Sequence, residues 1–170
     1  MINKEKHNVL RWMFSTLLLA SVAYGGDQSS IGRTTEKELN VVLSSSFGKI
    51  IIGRGEPEKI VTGQLFGNED RSVDFHSNYN VRNRVGYLDL SLGDEKRQGK
   101  KSSIKLSDIT SNQWQLKFSD ALPIAFDIEL GVAKGEFNLA GLQVKDFTMS
   151  CGASDVLVTF DEPNTATLNE

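Results

Sequence analysis

Few residues of this chain have types and spacing that could do chemistry. Asp127 and Glu129 stand two apart in Phe126-Asp127-Ile128-Glu129-Leu130. Paired carboxylates can hydrolyse glycosides by acid–base chemistry, and they can attract calcium weakly. Here apolar residues fill every second position, so strand alternation alone puts both acids on a solvated face. No loop follows the ligand order of a calcium motif. Zinc needs about four ligands of the His, Cys or carboxylate type. His76 is the one histidine outside the first 25 residues, and beside Phe75 it reads as a surface or edge residue.

Cys151, the one cysteine, follows Met149 by two and precedes Gly152. It is expected to face inward as a buried thiol, packing as a small hydrophobe. A nucleophile would need an adjacent base and access, and nothing places His76 near it. Gly152-Ala153-Ser154-Asp155 has the composition of a turn. Gly53-Arg54-Gly55-Glu56 would need a following helix to hold phosphate, and Glu56-Pro57-Glu58 makes a plain turn the better reading. The sequence therefore predicts no catalytic, cofactor-binding or metal-binding residue, and no enzyme.

The elements that must position these residues are strands. Trp114-Gln115-Leu116-Lys117-Phe118, Phe126 to Leu130, Phe147-Thr148-Met149-Ser150-Cys151 and Val156-Leu157-Val158-Thr159-Phe160 all alternate with period two. Glycines punctuate them, and no segment after the first 25 residues holds a helical period for three turns. A repeat is also present. Residues 128–139 align with 149–160 at a constant offset of 21, so that Ile128 meets Met149, Leu130 meets Cys151, Gly131 meets Gly152 and Phe137 meets Val158. A weaker copy runs from Ser45 to Ile52, with Ser46 in the place of the glycine. Repeats near this length, built of short strands and glycine turns, point to a β-solenoid; the alternative is a β-sandwich with similar hairpins. On a solenoid face Asp127, Glu129, Glu136 and Asn138 form one polar stripe, the candidate binding face.

The ends set the context. Lys4, Lys6 and Arg11 precede the uncharged run Trp12 to Ala23, and Ala23-Tyr24-Gly25 supplies small residues for cleavage. This is the layout of a secretory signal, and the run is shorter than the roughly 20 residues of a spanning helix. We therefore expect a signal peptide over 1–25 cleaved near Gly25, a polar tether over 26–38, and a β domain over 39–164. Residues 165–170 read as a tail or the start of a further coil of a longer protein. Removing the first 25 residues takes the formal charge from −3 to −5, which disfavours nucleic acid and anionic lipid as partners. With one cysteine, no disulfide within the chain can hold it together.

In their order these segments resemble the toast-rack N-terminal domain family. SSSFGKIIIGRGEPEKIVTGQLF from Ser44 matches its opening strands, and NQWQLKFSDALPIAFDIELGVAKGEFNLAGLQVKDFTMSCGASDVLVTFDEPN its later part. The resemblance spans about Leu39 to Asn164, least closely around Asp94 to Lys101. It implies a right-handed β-solenoid, a secreted or periplasmic location in the bacterial cell envelope and no assigned catalysis. It also implies association with LiaF-like proteins of the cell-wall stress response. The expected function is a binding or scaffold module, adhesin-like, with an envelope protein or cell-wall glycan as partner. The alternatives are a regulatory sensor domain of the wall-stress response and a carbohydrate-active enzyme.

Overall fold

The computed structural model describes residues 28–66, 75–92 and 113–166. The expected signal, the segment Asp94 to Lys101 and the last four residues lie outside the described residues. Among the described residues nine strands form one sheet and there is no helix. In chain order they are β1 (Gln28–Gly32), β2 (Glu38–Arg54), β3 (Lys59–Phe66), β4 (Phe75–Arg82), β5 (Val85–Leu92), β6 (Gln113–Phe118), β7 (Pro123–Asn138), β8 (Gln143–Cys151) and β9 (Asp155–Thr159).

Two long strands carry the architecture. β2 pairs in parallel with β7 from Leu39↔Ile124 to Ile52↔Phe137. Its other edge holds β5 along the first half and β6 along the second. In the same way β7 holds β8 along its first half and β9 along its second. Antiparallel strands extend both halves: β4 lies on β5, and β3 then β1 lie on β6.

Neither long strand can be straight. Pro123 neighbours Gln143 in the ladder, and paired strands lie about 4.8 Å apart. Asn138 is five residues before Gln143, a reach of at most roughly 18 Å. A straight β7 would instead carry Asn138 about 50 Å from Pro123. The strand therefore bends back on itself. The bend shows as a switch in buried parity. β7 buries Ile124, Phe126, Ile128 and Leu130, then Ala133, Gly135 and Phe137; β2 buries Leu39, Val41, Leu43, Ser45 and Phe47, then Gly48, Ile50 and Ile52. Both limbs thus turn apolar side chains to the concave side. Phe118 of the second limb meets Phe126 of the first edge-on, with ring centroids 5.1 Å apart at 83°. The result is a curled open sheet with its core inside the curl. Each Leu, Ile or Phe buried there stabilises it by roughly 1.5–3 kcal/mol.

The corner explains the repeated glycine. A Cβ on Gly131 would stand 2.6 Å from the carbonyl oxygen of Ser46, and one on Gly152 would stand 2.9 Å from that of Gly131. Each strand's backbone lies where a side chain on the neighbouring strand would be, so glycine is required for close approach. The next layer is tied down by Gly152 N–H donating to Leu130 O at 2.7 Å and Ser154 Oγ donating to Gly131 O at 3.0 Å. The rungs Ile128↔Met149, Leu130↔Cys151 and Phe137↔Val158 reproduce the 21-residue offset.

Three expectations differ from what is observed. The strands are not all short pieces joined by glycine turns: β2 has 17 residues and β7 has 16. Their ladder with each other carries the hydrogen bonding around the corner. The layers on either side change strand there, from β5 to β6 and from β8 to β9. Cys151 is exposed rather than buried. It stands in register with Leu130, but β8 is an edge strand and nothing described covers it. Within the segment read as a tether, Gln28–Gly32 forms the edge strand β1 on β3; a polar strand suits a position with one wetted edge.

The edges are shaped by specific contacts. Asn164 closes one rung of β8 with its side chain, accepting from Val144 N at 3.0 Å and donating to Val144 O at 2.6 Å. The register shifts after Ile124, which pairs with Val144 while Ala125 pairs with Asp146. Lys145 falls in this shift and reaches Glu38 at 2.7 Å. A bulge and a charge are common ways to blunt an edge. Between β4 and β5 the two-residue loop Asn83-Arg84 has φ of 51° and 64°, the pattern of the hairpin turn that matches strand twist.

Two stability outcomes are expected. Gly131→Ala should cost about 1–3 kcal/mol, as overpacking of a filled site does, whereas Gly53→Ala, with open space around its Cβ, should stay within about 0.5 kcal/mol. Urea unfolding of both variants checks the contrast. Arg84→Gly should raise stability by about 1 kcal/mol, because a side chain in the left-handed region costs roughly that much; an unchanged urea midpoint would contradict it.

Candidate functional site

The convex face of the first limb is built from alternate residues of five strands. Burial alternates along β2, β5 and β7, so Asn40, Val42 and Ser44 point outward with Tyr87, Asp89 and Ser91 and with Asp127 and Glu129. The ladder registers place these residues in rows. One row is Asn80, Tyr87, Asn40, Ala125 and Asp146; the next is Asn78, Asp89, Val42, Asp127 and Thr148; the third is His76, Ser91, Ser44, Glu129 and Ser150. Four carboxylates, hydroxyls and amides populate the three rows, and none of them carries Lys or Arg. Val42 and Tyr87 add apolar surface, 48% and 41% exposed.

Two shallow recesses mark this face. One, of about 220 Å³, lies at the corner among Ser44, Ser46, Ser91, Glu129 and Gly131. The other, of about 240 Å³, lies among Asn40, Val42, Asn78, Asn80, Tyr87 and Asp89.

The four residues of the predicted stripe are divided by the bend. Asp127 and Glu129 lie on the first limb, exposed, and bond to no described residue. Glu136 and Asn138 lie beyond the corner on the second limb, and both have partners. Lys49 Nζ is 2.7 Å from Glu136, and Asn138 Oδ1 accepts from Ala140 N at 3.0 Å, fixing the start of the turn. That turn carries Gly141 at φ +72° with Arg54 packed over it, and Arg54 is itself paired with Asp120 at 2.6 Å. The second limb's outer face carries Lys49, Lys117 and Lys134 beside Glu136 and Asp155, so the two outer faces differ in charge. His76 is exposed on β4, the outermost strand of the first limb's ladder. No group of three metal-ligating side chains occurs among the described residues.

Sequence reasoning did not find Asn40, Asn78, Asn80, Tyr87 and Asp89. They lie far apart in the chain and meet only through the β4–β5–β2 register. The alternation of Tyr87 and Asp89 within a strand was visible, and Asn78-Tyr79-Asn80 would have added two positions had it been read as the partner strand.

One buried carboxylate holds this face in place. Glu36 is 2% exposed, and it accepts from Thr34 N at 2.8 Å and Thr34 Oγ1 at 2.6 Å. Next to it Lys37 N donates to Arg84 O at 2.7 Å, which docks the start of β2 on the β4–β5 hairpin. The buried Tyr79 hydroxyl faces the same carboxylate, outside strict hydrogen-bond geometry. Burial alone would raise the Glu36 pKa; the donors from Thr34, its own backbone and Tyr79 together bring it below the ordinary value. Burial, and then the Glu36 charge, push the Tyr79 phenol up.

Comparison with known proteins places this geometry. The model of the N-terminal domain of toast_rack, DUF2154, matches residues 21–169. Among solved structures the chain is similar to a putative cell adhesion protein from Clostridium sporogenes ATCC 15579, with a TM-score of 0.67 at 18% identity. The match covers 82% of this chain and 64% of that one, so this chain spans less than two thirds of that structure's length. A search of the curated proteins finds no match. No described helix is long and apolar enough to cross a membrane.

Because the Glu36 pKa is lowered on folding, its stabilisation is present above the unfolded value of 4.5 and is lost as pH falls through the folded value. Glu36→Gln should therefore be less stable than wild type at neutral pH, and the gap should narrow below pH 4.5. Thermal unfolding across that range checks the convergence.

Proposed function

The chain belongs to the toast_rack N-terminal domain family, and on that premise we propose that it is an exported, non-enzymatic binding module of the cell envelope, adhesin-like in action. The observation that carries this reading is the convex face of the first limb. Its three central rows are exposed and polar and carry no Lys or Arg, they are backed by a continuous ladder, and Asp127 and Glu129 are free to meet a partner. The cell adhesion description of the structural relative is consistent with it. The charged start and short apolar run support export. The partner is a cell-wall glycan or an envelope protein that meets this face.

The layers stack as coils of a β-solenoid in this reading. Val144 lies 20 residues after Ile124, and Asn164, whose amide closes the Val144 rung, lies a further 20 on. A solenoid presents long regular faces, and repeats of this kind bind along them.

The test is sedimentation of the purified chain with insoluble envelope material. Wild type should co-sediment, and replacing Asp127 and Glu129 together by Ala should weaken retention about tenfold, or ~1.4 kcal/mol. No retention at low or physiological salt would defeat the proposal.

A further inference from the structure

We propose that the recess bounded by Asn40, Asn78, Asn80, Tyr87 and Asp89 is a subsite for one uncharged pyranose ring bearing an acetamido group. This rests on the reading of the chain as an envelope-binding module and names the ligand class.

Size comes first. Drug-sized ligands take pockets of roughly 300–1,000 Å³, and this recess is about 240 Å³. It spans three strands, with β4 and β2 about 10 Å apart on either side of β5, and two rows of residues. That is the footprint of a single ring lying flat.

Chemistry comes next. Tyr87 stands at the centre of its row between Asn80 and Asn40, and its partly exposed ring offers an aromatic surface to the C–H face of a sugar. Each amide presents two N–H donors and one carbonyl acceptor, which suits hydroxyls and suits another amide equally. Asn80 Oδ1 is buried and accepts no hydrogen bond. A buried acceptor left unpaired costs roughly 1–3 kcal/mol, and turning this amide toward the recess would let an acetamido N–H or a hydroxyl satisfy it. Asp89, in register with Asn78, can accept from two neighbouring hydroxyls.

Charge decides the remaining choice. The lining of the recess holds Asp89 and no basic side chain, and Asp127 and Asp146 lie in the same rows, so a uronate, a sialate or a phosphorylated sugar would be repelled. An extended peptide pairs at a sheet edge, whereas this recess lies on the sheet face and is centred on β5, which is paired on both sides.

The experiment titrates the full chain with triacetylchitotriose, cellotriose and trigalacturonate, followed by amide chemical shifts. Triacetylchitotriose should shift Asn78, Asn80 and Tyr87, cellotriose should bind several-fold more weakly, and trigalacturonate should not bind. Tyr87→Ala and Asn80→Ala should each weaken triacetylchitotriose binding at least about tenfold, with unchanged thermal unfolding showing that the fold is intact. Equal binding of cellotriose would overturn the acetamido assignment, and equal binding of trigalacturonate would overturn the charge argument. Shifts confined to other faces, or no binding of any trisaccharide, would overturn the subsite. If the chain still sediments with envelope material in an Asp127- and Glu129-dependent way, the broader function stands while the subsite falls; if it does not, both fall.

Discussion

The close approach of backbone at the corner is the constraint on which everything else rests. Ser46, Gly131 and Gly152 form a column in which each carbonyl occupies the space of the next residue's missing side chain. Were the layers forced apart there, β2 and β7 could not keep one ladder while bending. The two limbs would then separate, and the contact of Phe118 with Phe126 across the core would be lost. Ser46 can carry a side chain because β2 is the layer whose carbonyl is received, not the layer that receives it.

From this corner the outer faces follow. A strand that buries alternate residues must show the others to water, and a bend that switches parity turns both limbs inward. Each limb then acquires its own outer face. Parallel in-register pairing copies one residue's direction into the next layer, so the character of a row is decided by a few positions. On the first limb these positions hold Asp, Asn, Ser and Thr; on the second they hold three lysines. A bend between them separates the two chemistries on one continuous sheet.

Much of this was legible in the sequence because the physical signals were local. Alternation placed Asp127 and Glu129 on a wet face, and the 21-residue offset anticipated the rungs from Ile128 to Phe137. The repeat puts Ser46 in the glycine's place, and the column supplies the reason. What was not legible depended on distant partners. Cys151 has an inward position by register, yet burial requires a covering layer, which no local pattern reports. The Asn-rich recess needed the pairing of β4 with β5 and of β5 with β2, and Gln28–Gly32 is too polar to announce itself as a strand.

The run of β2 through both limbs also has a mechanical consequence. Tension directed along one limb of β2 and β7 loads that limb's parallel rungs in shear, so they must yield together. Tension across the sheet instead peels β9, attached by five rungs, one bond at a time. The same fold is therefore stiff in one direction and compliant in the other, and the direction in which it is held decides which it shows.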